Sequence, residues 1–183
     1  MHAARLTQTP ATMTALLVFC LMSFGALAQS PLADYRPVTD ERLQNPEDQN
    51  WLSYRGTQNG WGYSPLDQID ADNVAELKPV WTLSTGVNGG HESPPIVNNG
   101  VMFVTTPGNL VYAVNAVTGD LLWRYQHDLP SDLTAPHRTN RGVALWGDKV
   151  YTATLDARVV ALDAATGEKV WDTSVQDNSF GYY

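Results

Sequence analysis

The chain has 183 residues, with 19 acidic side chains against 11 basic ones, a net charge of −8 and one cysteine. An acidic balance disfavours a nucleic-acid partner, because affinity for phosphate needs a basic surface. The single cysteine, Cys20, rules out an intramolecular disulfide and a multi-cysteine metal site.

Residues 1–28 carry one arginine, no acidic residue, an apolar run from Ala15 and a small-x-small end at Ala26-Leu27-Ala28. This pattern predicts a secretory signal peptide cleaved after Ala28. The competing reading is a membrane anchor, but the run is shorter than the roughly 20 residues that span a bilayer. Phe19, where a lipoprotein would place a small residue, argues against lipid anchoring at Cys20. Cleavage would leave a thiol-free chain of charge −9 with no membrane span, exported to the periplasm.

Residues 29–50 are polar, rich in proline and without apolar period, which predicts an extended lead-in or a short, loosely held helix. From Trp51 onward, aromatic and β-branched residues alternate with polar ones between Gly, Asn, Pro and Asp. Two stretches each resolve into four short strands. The first reads PPIV, VMFVT, LVYAV and LLWRY, and the second RGVALW, KVYTATL, RVVAL and EKVWDT. Asn98-Asn99-Gly100 and Gly147-Asp148 supply the positive φ of tight hairpins.

The segment AVNAVTGDLLW at 113–123 returns as ALDAATGEKVW at 161–171. A repeated four-stranded unit of about 45 residues, with Thr-Gly before the last strand and an aromatic on it, predicts an all-β fold of β-propeller blades. A sandwich with similar strands is the competing architecture. In the propeller, Trp123 and Trp171 would each lie between adjacent blades, with Ala113 and Ala161 kept small beneath a wide neighbour. A third tryptophan strand, LKPVWTLSTG around Trp81, has no strands before it and is expected to be the outermost strand of a ring-closing blade. Two full blades plus one such strand are fewer than the four to eight of a propeller, so the chain is expected to be the front portion of a longer protein.

The stretch from Trp51 to Trp81, then HESPPIVNNGVMFV and NRGVALWGDKVY in order, resembles the start of the PQQ-dependent quinoprotein dehydrogenases, nearest the methanol and ethanol (alcohol) dehydrogenase branch. The resemblance covers residues 51–183, which would be part of a PQQ-type propeller domain, eight-bladed in that family. It implies PQQ held near the axis beside a calcium or lanthanide ion, a small primary alcohol oxidised to an aldehyde in the periplasm, and electrons passed to a c-type cytochrome. The acidic chain suits a basic cytochrome. The catalytic aspartate and the metal ligands would then fall after Tyr183, and the chain would be inactive alone.

Two residues match the family's cofactor contacts. Glu92 in HESPP stands before Pro94-Pro95, whose stiff backbone can aim a carboxylate; otherwise it is a solvated loop glutamate. Arg141 in TNRGVAL opens the first strand of the second blade. There a permanent planar cation could meet the carboxylates or quinone oxygens of PQQ, or else pair with a neighbouring acid. Many alcohol-oxidising members carry two adjacent cysteines where this chain has Ala135-Pro136, a departure that bears on its subfamily and electron-transfer behaviour but not on its class. His91 and His137 lack any metal-site spacing, although His137 would lie near the cofactor face. A non-catalytic propeller scaffold of the bacterial envelope is the alternative function. It would use the tryptophan repeat for structure alone.

Overall fold

The computed structural model describes residues 30–135 and 137–177. The signal segment 1–28, with Cys20, lies outside them, as does Pro136. Among the described residues no helix is long and apolar enough to cross a membrane.

Two four-stranded antiparallel sheets follow one another along the chain. The first contains β1 (Ile96–Asn98), β2 (Val101–Thr106), β3 (Leu110–Asn115) and β4 (Leu121–Gln126), and the second β5 (Ala144–Trp146), β6 (Lys149–Ala153), β7 (Arg158–Asp163) and β8 (Lys169–Ser174). In each, spatial order equals chain order, the plain meander of a propeller blade. Asn99, Asn109 and Ala157 take positive φ in the hairpin turns.

Alternation assigns the faces of the first sheet. Val101, Phe103, Val111, Ala113 and Trp123 point toward the second sheet and join Leu145, Val150, Val160 and Leu162 in one core. The intervening Leu110, Tyr112 and Val114, with Met102 and Val104, form the opposite face, over which Trp81, Leu83 and Val87 lie.

The repeated segment shows its purpose at the seam between the sheets. Trp123 is buried, pairs with Ala113 across the sheet, and donates its indole N–H to the Ala164 carbonyl at 3.0 Å. Its ring lies flat on Gly167, where a Cβ would come within 2.6 Å of indole carbons. Gly167 also needs its φ of +75° to turn β7 into β8. The glycine of one blade's Thr-Gly turn is thus the landing surface for the tryptophan of the blade before it.

Two expectations are modified. Trp81 docks in the same way, donating to the Ala116 carbonyl at 3.1 Å and covering Gly119, yet its segment belongs to no strand among the described residues. Trp81, Leu83 and Val87 instead cover the face of the first sheet turned away from the second. Trp171, expected between blades, pairs with Ala161 as the repeat requires but remains 41% exposed, touching Tyr151 at 5.9 Å between ring centres. It lies on the face of the second sheet turned away from the first.

The lead-in is firmly held, which its polar composition concealed. It contains a 3-10 turn (Pro31–Asp34) and a short helix α1 (Asp40–Gln44). Val38 pairs with Gly147 and Trp51 with Val97, so the segment crosses the turns of both sheets. Arg42 is the staple. Its buried guanidinium donates to the carbonyls of Arg36 and Pro37, to Asn98 Oδ1 at 2.9 Å, and to both oxygens of Glu47.

Candidate functional site

Antiparallel order sends the chain segments to two opposite ends of the sheets. The segments entering β1 and β5 share one end with the β2–β3 and β6–β7 turns, while the remaining hairpin turns and the lead-in occupy the other. Glu92 and Arg141 therefore belong to the same end, one leading into each sheet.

They also meet. Arg141 Nη2 lies 3.3 Å from Glu92 Oε2, an ion pair whose side chains are 82% and 50% exposed. An exposed pair of this kind contributes at most about 1 kcal/mol to stability, so either partner can turn to another ligand at little cost.

Hydrogen-bonded polar groups, one half-buried and one buried, set the backbone beside each member of the pair. Ser93, next to Glu92, accepts the Thr105 N–H at 3.0 Å. Asn140, next to Arg141, is buried, and its side-chain oxygen accepts the Gly142 N–H at 3.0 Å. Its amide nitrogen donates to Asn109 Oδ1 at 3.0 Å and to the Ala153 carbonyl at 2.9 Å. Gly142 has φ of +113°, which shortens the expected strand 141–146 to Ala144–Trp146 and leaves Arg141 in a turn. The Asn-x-Gly spacing of residues 140–142 is the signal that could have marked this turn.

Beside the pair lies an open cavity of about 370 Å³, lined by Gly89, Gly90, Gly108, His137, Arg138 and Thr139 among others. A Cβ on Gly90 would stand 3.9 Å from both Glu92 Oε1 and Thr139 Oγ1, so the cavity borders the pair although neither member lines it. His137 is exposed on its wall. His91 is engaged at both ring nitrogens, with Thr85 Oγ1 at 3.0 Å and the Gly89 carbonyl at 3.1 Å. Ala135 is half-buried on the same connection. Among the described residues no group of three or more His, Cys, Asp or Glu could hold a metal ion.

A second polar feature at this end escaped the sequence reading. His127, just after β4, meets the Asp156 carboxylate of the β6–β7 turn at 2.9 Å, both side chains being 8% exposed. Burial pushes the Asp156 carboxyl up, but hydrogen bonds from His127 and Thr154 carry it below its ordinary value. The pair bridges the seam between the sheets.

PQQ is a planar tricarboxylate with an ortho-quinone. The residues present fit it: Arg141 offers a permanent fork of N–H donors, Glu92 offers an acceptor, and Gly90 and Gly142 place no side chain beside them.

Residues 51–176 match the PQQ model described as the β-propeller domain of glucose/ethanol/alcohol dehydrogenases. The quinoprotein ethanol dehydrogenase of Pseudomonas putida is 41% identical over 170 residues, which is 90% of this chain and 27% of that protein. Among solved structures, a quinohemoprotein alcohol dehydrogenase from Pseudomonas putida superimposes with a TM-score of 0.71 at 36% identity, over 76% of this chain and 21% of that one. A europium-containing methanol dehydrogenase does so with a TM-score of 0.69 at 32% identity, over 76% of this chain and 25% of that one. The chain spans about a quarter of the length of these relatives. With two meander sheets, an interlocking tryptophan repeat and a matching family model, the chain belongs to the PQQ glucose/ethanol/alcohol dehydrogenase β-propeller family.

Proposed function

We propose that this chain forms the PQQ-holding front portion of a periplasmic quinoprotein dehydrogenase that oxidises a primary alcohol to an aldehyde and passes the electrons to a c-type cytochrome. The observation that carries the reading is the approach of Glu92 and Arg141 to 3.3 Å from separate connections at one end of the sheets. Bound PQQ supplies an ortho-quinone that takes up two electrons and two protons as the alcohol becomes an aldehyde. Arg141 binds a carboxylate or quinone oxygen through its N–H fork and stabilises negative charge there. Glu92 accepts a hydrogen bond and keeps the guanidinium aimed. A calcium or lanthanide ion would act as a Lewis acid beside them, as the europium of a similar methanol dehydrogenase suggests.

A scaffold that used the tryptophan repeat for structure alone would have no need of this exposed pair beside a glycine-lined cavity. The test is titration of the protein with PQQ, followed by quenching of tryptophan fluorescence. Saturable binding is expected, weakened about tenfold or more by Arg141→Ala and about threefold by Glu92→Gln. Unchanged affinity in both variants would remove these residues from the site.

A further inference from the structure

An arginine on a turn is useful to a rigid ligand only if its backbone is fixed, and Arg141 is itself 82% exposed on its side chain. The residue before it is the opposite. Asn140 is 6% exposed and uses both ends of its amide. Its nitrogen reaches Asn109 Oδ1 at 3.0 Å in the first sheet's β2–β3 turn and the Ala153 carbonyl at 2.9 Å at the end of β6 in the second. Its oxygen holds the Gly142 N–H at 3.0 Å on the far side of Arg141. The Asn140 carbonyl also accepts from Thr105 Oγ1 at 3.4 Å. Arg141 is thus bracketed by two residues tied to each other through one buried side-chain amide, and that amide spans the seam between the sheets.

Asn109 completes the bracket. It is fully buried at φ of +64°, and its oxygen accepts from Asn140 while its own Nδ2 has no hydrogen-bond partner among the described residues. A buried donor left unpaired is costly, on the order of 1–3 kcal/mol. The side chain is therefore poorly explained as a simple turn former, a task glycine would perform without that cost.

We propose that Asn140, supported by Asn109, is the positioning residue that holds Arg141 toward the cofactor and ties its location to the packing of the two blades. The inference rests on the PQQ reading given above. It goes further by assigning a role to a residue that touches no ligand.

The test is a coupling measurement with PQQ as the titrant. Asn140→Asp keeps the acceptor for Gly142 but removes the donations to Asn109, Ala153 and, at 3.5 Å, Thr152 Oγ1, and PQQ affinity is expected to fall about tenfold. Asn109→Gly suits the positive φ, removes the acceptor together with the unpaired Nδ2, and keeps the test informative if Asn140→Asp fails to fold. It is expected to weaken binding about threefold and to speed hydrogen exchange of the Gly142 amide in the cofactor-free protein. In an Arg141→Ala background, neither change should weaken binding further, because each acts through the guanidinium. Full additivity with Arg141→Ala, or unchanged affinity in both variants, would overturn the positioning role while leaving the PQQ reading intact. Absence of PQQ binding by the unaltered protein, or no effect of Arg141→Ala, would instead refute the PQQ reading and this inference with it.

Discussion

Gly167→Ala tests the interlocking of the sheets. A Cβ at this position would come within 2.6 Å of Trp123 Cδ2, and φ is +75°. The left-handed conformation costs an alanine about 1–2 kcal/mol. Relieving an overlap in a packed core costs about 1–3 kcal/mol more. The indole cannot swing away without breaking its bond to the Ala164 carbonyl and leaving the core it shares with Phe103. Gly108→Ala is the control, because its φ is +80° but no atom of the described residues lies within 4 Å of the added carbon. Equilibrium unfolding in urea should show Gly108→Ala losing about 1–2 kcal/mol and Gly167→Ala about 2 kcal/mol more. Near-UV circular dichroism of the second variant should report a disturbed indole. Equal losses, within about 0.5 kcal/mol, would refute the claim that this glycine is a docking surface and reduce it to a turn former.

Three further outcomes follow from the packing. Trp123→Ala should cost about 3–5 kcal/mol in the same assay, whereas Trp171→Ala, at 41% exposure, should cost less than half as much despite its identical place in the repeat. Hydrogen bonds from Arg42 lower the Glu47 carboxyl to about 2 from an unperturbed 4.5. Its stabilising effect is present above about pH 4.5 and lost as pH falls toward 2, so unfolding midpoints should drop across that window in the parent protein but much less in Glu47→Gln. Asp156→Ala should destabilise the protein by about 1–3 kcal/mol through the buried His127 Nε2 it leaves unpaired, and Asp156→Asn should recover part of the loss, both read by thermal unfolding.

The strands were legible because a half-buried blade writes its period into the sequence. Val101, Phe103 and Val111 alternate with residues of the opposite face, and glycine or asparagine marks most of the hairpin turns that take positive φ, the β6–β7 turn with Ala157 being the exception. The Thr-Gly repeat predicted that tryptophans lie between blades, and Trp123 does so. Trp171 has the same local sequence but no blade against it among the described residues, a difference that no local pattern encodes. The lead-in misled for a physical reason. Arg42 is a charged residue in a polar stretch, and its burial depends on Glu47, Asn98 and two backbone carbonyls that become neighbours only after folding.

The candidate site was legible only in part. Glu92 and Arg141 were identifiable through motif resemblance, and their approach across 49 positions of sequence is a product of the meander topology. The Asn-x-Gly spacing could mark the turn at Asn140, but nothing in the sequence marked its bond to Asn109 or the His127–Asp156 pair. Each of these is a polar residue whose role is defined by a partner in another turn.

The central claim is that two adjacent blades deliver one carboxylate and one guanidinium to a single cofactor. A crystal structure of the protein bound to PQQ tests it most directly. The account requires Arg141 Nη2 and Glu92 within hydrogen-bond reach of the same PQQ molecule, with the Asn140 bridge to Asn109 intact. PQQ bound elsewhere on the chain, or bound with both side chains turned to solvent, would contradict it.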